Sequence, residues 1–254
     1  CYNKSMKDLA TLVKEFKTII DNSKNVVFFG GAGVSVPSGI PDFRSADGVY
    51  SKDTNTMYSA EEMVSRTMYY RNTPFFNDFY FKYLVYPDAL PNPCHTYLAR
   101  LEKEGKLKAV VTQNIDGLHQ AAGSKVVYEL HGSVHRNYCT LCKAFHDLAA
   151  TLKEPRGKCK KCGGYLKPDV VLFEEGLDQN TITRSIEAIA KADTLIIGGT
   201  SLVVQPAASF INFFRGKNIV VVNKTSIRLP MYLSTNILFI EADIGKTFEL
   251  LNKL

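Results

Sequence analysis

No run in this sequence stays apolar for the roughly 18 residues that a membrane-spanning helix needs. The nearest, residues 194–210, is broken by Gly198, Gly199, Gln205 and Pro206. A basic-then-apolar leader is missing too, so the expected location is cytoplasmic, with no membrane partner. Internal repeats and low-complexity linkers are also absent. Charge of one sign is only mildly in excess, 31 Lys and Arg against 25 Asp and Glu. Nucleic-acid binders concentrate their charge, and the one dense basic cluster, residues 156–161, sits beside cysteines and reads as a solvated loop. Nucleic acid is therefore disfavoured as a partner, while a mild positive field suits anionic ligands.

What is present is ordinary globular material: 254 residues, 45% apolar and 22% charged. That composition excludes disorder, collagen-like repeats and coiled coil. The length corresponds to roughly 1.7 domains, either one large domain with an insertion or two modest ones. Such a chain buries about 70–75% of its unfolded surface and needs no disulfide staples.

Cysteine is scarce, six in all, but four are paired as Cys139-x-x-Cys142 and Cys159-x-x-Cys162. Two such knuckles complete a tetrahedron of thiolates, the pattern of a structural zinc site with no open position. Gly163 and Gly164 supply the tight turn after the second pair. The alternative is two disulfides or redox pairs, which fits poorly with a leaderless chain. Cys1 and Cys94 read as bystanders.

Residues 5–22 carry a helical stripe of Leu9, Leu12, Val13, Phe16, Ile19 and Ile20, with Ser5 and Asp8 resembling a capping box. Short apolar runs at 26–29, 109–111, 126–128, 195–197, 219–222 and 237–240 do not alternate, which predicts strands buried on both faces. Helical patterns at 93–103, 181–191, 206–215 and 244–251 lie among them. Strand–helix alternation predicts a parallel, doubly wound α/β sheet. Two stretches interrupt it: residues 41–90, whose aromatic stripe reads as core, and residues 136–168, which hold the cysteines. Both look like insertions forming a smaller domain.

Three polar clusters follow predicted strands. Gly30-Gly31-Ala32-Gly33 continues through Val34, Ser35 and Val36 to Gly39, a loop that suits either a pyrophosphate at a helix start or a tight turn. Thr112-Gln113-Asn114-Ile115-Asp116-Gly117-Leu118-His119 offers two amides and a carboxylate at a strand's carboxyl end, as a ligand site or as a helix cap. His131-Gly132-Ser133 places an imidazole at the next strand end, a general base or a structural histidine. His95, His119, His135 and His146 read as structural.

Together these segments resemble one family, the sirtuins, NAD-dependent protein-lysine deacylases. The resemblance runs through residues 31–44, 112–116, His131-Gly132, the paired cysteines, Pro168-Asp169-Val170-Val171, Gly199-Thr200-Ser201-Leu202 and Val222-Asn223, in the family's order. It implies a bacterial-type catalytic core: a Rossmann-like doubly wound sheet (1–40, 91–135 and 169–254) with a smaller domain made of a helical module (41–90) and a zinc-ribbon module (136–168). NAD and an acylated-lysine protein or peptide would meet between them.

Carried over residue by residue, the resemblance puts Ala32, Val36, Phe43 and Arg44 on NAD, with Arg44 near the phosphates. Gln113 and Asn114 would hold the nicotinamide ribose, Ile115 and Asp116 the nicotinamide amide, and Thr200, Ser201, Asn223 and Asp243 the adenosine end. Asn114 and His131 would be catalytic, His131 as the base. The products would be free lysine, nicotinamide and O-acyl-ADP-ribose. A protein ADP-ribosyltransferase or NAD sensor on the same scaffold is the alternative. Val36 stands where many relatives carry Thr, and Gly30 likewise, so contacts there fall to the backbone. Glu174 replaces a frequent Gly in the segment that pairs with substrate peptide, and with Glu175 would favour basic peptides. Succinyl- and malonyl-preferring sirtuins carry a Tyr-x-x-Arg pair; here the segment reads Tyr80-Phe81-Lys82-Tyr83.

Overall fold

The computed structural model describes residues 8–42, 48, 57–153, 157–230 and 235–254. Helix α1 (Leu9–Asp21) buries Val13, Phe16 and Ile20, the stripe the sequence predicts. Its cap is Asp8, which accepts the Thr11 amide at 2.7 Å; Ser5 lies outside the described residues. The chain then forms β1 (Val26–Gly30), β2 (Leu107–Thr112) and β3 (Val127–Glu129). A second sheet follows, β4 (Gly132–Cys139), β5 (Phe145–Asp147) and β6 (Leu166–Val170), before β7 (Thr194–Gly198), β8 (Asn218–Asn223) and β9 (Asn236–Glu241) complete the first.

The first sheet has six strands in the order β3-β2-β1-β7-β8-β9, every neighbouring pair parallel. It is the doubly wound sheet predicted from strand–helix alternation. The chain winds outward from β1 in one direction and from β7 in the other. Their carboxyl ends therefore flank the switch point at which such sheets bind ligands.

Alternate β1 residues feed two cores. Val26 and Phe28 join Phe16, Leu98 and Phe248, from α1, α5 (Pro93–Lys103) and α9 (Ile244–Asn252). Val27 and Phe29 face α8 (Gln179–Lys191) and the segment Ala207–Phe213. That last segment is a 3-10 helix, not the α-helix expected over 206–215. Strand β9 also departs from expectation. Leu238 and Ile240 are buried, but Ile237 and Phe239 are 38% and 45% exposed, because the second core includes no residue of this edge strand.

Between β1 and α5 lie α2 (Ala60–Met63), α3 (Arg66–Arg71) and α4 (Thr73–Tyr83), which share a core with Val134, Leu148 and Val170 around the second sheet. Tyr69, Phe76 and Tyr80 pack edge-on and stacked at 5.1 and 5.6 Å, so the aromatic stripe is core. Two short helices remain: α6 (Leu118–Ala121) lies between β2 and β3, and α7 (Leu148–Lys153) between β5 and β6 of the second sheet. That sheet is antiparallel, ordered β5-β4-β6.

Candidate active site

The loop after β1 forms two 3-10 turns, Ala32–Val34 and Val36–Ser38, rather than the start of an α-helix. It is pressed against the loop after β7. The Gly31 amide donates to Gly198 O at 3.2 Å and the Gly33 amide to Gly199 O at 2.9 Å. A Cβ on Gly33 would lie 2.8 Å from Gly199 Cα, so these glycines are dictated by backbone meeting backbone at the switch point.

Beneath this loop the buried Ser35 links two residues of the second cluster. Its hydroxyl donates to Asp116 Oδ2 at 2.6 Å and accepts from Asn114 Nδ2 at 2.9 Å. Asp116 Oδ1 takes the Leu118 amide at 2.9 Å. Burial raises the Asp116 pKa, with the Ser35 and Leu118 hydrogen bonds opposing it. Gln113 donates through Nε2 to Thr200 Oγ1 at 3.2 Å, joining the β2 and β7 ends. Gly117 adopts φ +73° where a Cβ would sit 2.6 Å from the His135 ring. That ring donates through Nε2 to Asp116 O at 2.9 Å, the structural role expected of it.

His131 follows β3. Its Nδ1 lies 2.8 Å from Gln113 O, and a carbonyl only accepts, so the proton is on Nδ1 and the Nε2 lone pair is free to take another. Burial lowers the His131 pKa, with the Gln113 hydrogen bond opposing it. An uncharged ring with its lone pair on Nε2 is the form a general base needs. Gly132 holds the backbone at φ +76°, and a Cβ there would strike the Asp169 carbonyl.

In the smaller domain the sulfurs of Cys139, Cys142, Cys159 and Cys162 lie within 4.8 Å of one another. Cys139 and Cys162 are 3.4 Å apart, Cys142 and Cys159 3.7 Å. These are not disulfide lengths; a zinc tetrahedron with bonds of about 2.3 Å needs sulfurs about 3.8 Å apart. Gly164 passes so near that a Cβ would be 3.0 Å from Cys139 Sγ. The residues fit a closed structural zinc site.

The Sir2 family profile matches residues 31–206. The chain belongs to the Sir2 family. An NAD-dependent protein deacetylase of Clostridium perfringens is 56% identical over 92% of this chain and 96% of its own. Another, from Clostridium acetobutylicum, is 52% identical over 93% and 96%. Among solved structures, a Sir2 with deacetylated p53 peptide and 3'-O-acetyl ADP ribose superposes with a TM-score of 0.83 at 33% identity, covering 95% of this chain and 97% of that one. A Sir2 bound to a propionylated peptide gives 0.79 at 32%, covering 95% and 97%.

On this sirtuin the residues singled out from sequence gather at the carboxyl ends of the parallel strands. Ala32 and Val36 follow β1; Gln113, Asn114 and Asp116 follow β2; His131 follows β3. Thr200 and Ser201 follow β7, Asn223 ends β8 and Asp243 follows β9. Phe43 and Arg44 lie outside the described residues. Ile115 packs against the aromatic core formed by α2, α3 and α4. Asn223 and Asp243 already have local partners: Asn223 donates to Thr225 O at 2.9 Å, and Asp243 caps α9 and pairs with Lys224 at 3.1 Å. Ser35 and Asn92 were not among the sequence candidates. Asn92 Nδ2 donates to Val34 O at 2.8 Å and Ser38 Oγ at 2.9 Å, tying the glycine loop to α5. Only the Asn-Pro at the start of α5 hinted at it, as a helix cap.

The segment after β6 corrects one expectation. Glu174 adopts φ +74°, the conformation that favours the Gly it replaces. Its carboxylate is turned onto its own chain, accepting from Thr67 N at 2.9 Å and Thr67 Oγ1 at 2.7 Å. Glu175 accepts from Leu172 N at 3.0 Å and pairs with Lys167 at 3.1 Å. Glu174 stays exposed while bonded to Thr67, whereas the half-buried Glu175 is paired with Lys167, so of the two acids only Glu174 offers an uncompensated charge to a basic peptide. No described helix is long and apolar enough to cross a membrane.

Proposed function

We propose that this sirtuin removes acetyl, and longer aliphatic acyl, groups from protein lysines at the expense of NAD. Residues 41–90 and 136–168 would form the smaller domain, and the rest the NAD-binding one. The observation that carries the reading is His131, uncharged, with Nδ1 fixed on Gln113 O and Nε2 free, at the same sheet edge as the Ser35–Asn114–Asp116 network.

NAD, when bound, supplies the ribose carbon that accepts the acyl oxygen as nicotinamide departs. The chain's residues bind, orient and move a proton. The glycine loop would bring backbone close to the pyrophosphate, Arg44 would lie near the phosphates and Phe43 would be a further NAD contact. Asp116 and Ile115 hold the carboxamide, Gln113 and Asn114 the ribose hydroxyls, and Thr200, Ser201, Asn223 and Asp243 the adenosine end. His131 Nε2 takes the proton from a ribose hydroxyl. Zinc on the four cysteines holds structure.

Acyl scope follows from Tyr83, which stands where carboxyacyl-preferring sirtuins carry Arg. Lys82 does not replace it: the side chain is exposed, with Nζ 4.9 Å above the Tyr83 ring. An unpaired carboxylate in an apolar tunnel costs several kcal/mol, on the order of 3–5. Mass spectrometry of matched acetyl- and succinyl-lysine peptides with NAD tests the activity and its scope. Lysine unmasking with O-acetyl-ADP-ribose is expected. ADP-ribosylated peptide in its place overturns the proposed activity, and equal kcat/KM on succinyl-lysine overturns the scope.

A further inference from the structure

The four metal-site cysteines differ in exposure: Cys142 and Cys162 are exposed, Cys139 and Cys159 buried. A thiolate keeps negative charge that needs hydrogen bonds, and a buried sulfur cannot take them from water. Cys139 receives the Cys142 amide at 3.5 Å, within its own knuckle. Cys159 is served from outside its knuckle, by His146 Nε2 at 3.4 Å. The strand register brings that ring there. His146 is the middle residue of β5 and pairs with Asn137 of β4, two residues before Cys139.

Four thiolates already complete the tetrahedron, so an imidazole nitrogen at this distance from sulfur acts as a hydrogen-bond donor rather than a ligand. We propose that His146 is a positioning residue for the metal: its Nε2–H is held on the Cys159 thiolate, draws charge from that sulfur and slows loss of zinc. The proposal rests on the reading that the four cysteines hold zinc. It gives a histidine read as structural from sequence a task that the spacing of the cysteines does not reveal.

The test uses the full zinc-loaded chain as wild type, His146→Phe, His146→Leu and His146→Gln. Phe and Leu are non-donors of different bulk, and the Gln amide restores an N–H. A chromogenic chelator reads the rate of zinc loss. The cobalt(II)-substituted proteins report the sulfur-to-cobalt charge-transfer band. Both non-donors are expected to lose zinc about tenfold faster, the typical scale for removing a partner of a metal ligand. Their charge-transfer bands are expected at lower energy, with His146→Gln near wild type on both readouts. Rates and bands unchanged in a folded non-donor overturn the proposal, as does His146→Gln behaving like the non-donors. A wild-type chain that holds no zinc overturns the zinc reading itself, which separates the two failures.

Discussion

Acidification from pH 7 to pH 5 should cost about 2 kcal/mol of stability through His95 alone. The residue has no exposed surface, and its ring lies 4.7 Å from that of His119, equally deep. His95 Nδ1 accepts the Asn92 amide at 3.2 Å, so the ring is held uncharged. Burial lowers its pKa to about 4, against about 6.5 for an imidazole in an unfolded chain. Between those values the unfolded chain binds a proton that the folded chain refuses. The folded state is therefore at full strength above pH 6.5 and weakens as pH falls toward 4. Over the whole interval this amounts to about 3 kcal/mol. Urea unfolding of wild type and His95→Gln at pH 7 and pH 5 isolates the effect. The Gln carbonyl can still accept the Asn92 amide, and groups remote from position 95 are common to both proteins and cancel. Wild type should lose about 2 kcal/mol more than the variant; parallel losses would refute the reasoning.

His131→Ala should lower kcat by about 10²–10⁴-fold while NAD affinity, measured calorimetrically, stays within a few-fold. Because burial holds His131 below the ordinary imidazole value, wild-type kcat/KM should persist below pH 6.5 before falling; an acid limb centred above 6.5 contradicts this. At the left-handed position 174, Glu174→Ala should melt lower than Glu174→Gly by about 1 kcal/mol equivalent, since both lose the Thr67 hydrogen bonds but only Gly relieves the backbone. Identical melting temperatures would mean the strain is absent. Chelating the zinc should lower the melting temperature and open the two knuckles, residues 139–144 and 159–166, to hydrogen exchange, because among the described residues the apolar cluster around them is Cys139, Cys159 and Leu166 with Ala144 against it. Unchanged protection of the stripped protein would show that the metal carries no stability.

Periodicity and spacing were enough for the sheet, since six short apolar runs between helical stripes can be buried only by winding helices over both faces of a parallel sheet. The zinc cluster was equally local, because two C-x-x-C turns each present both sulfurs to one point. Tertiary structure decided what depends on neighbours distant in sequence. Ile237 and Phe239 read as buried but are exposed, because coverage of an edge strand depends on where helices stop. Glu175 read as open charge but is half-buried and paired with Lys167, while Glu174 stays exposed and is oriented by Thr67. Ser35, 79 and 81 residues from its two partners, joins Asn114 and Asp116 only once the loop after β1 folds over β2. The tautomer of His131 was fixed the same way, by a carbonyl 18 residues away. Residue type and local period set which elements form; a hydrogen bond between strand ends exists only after the sheet has put them side by side.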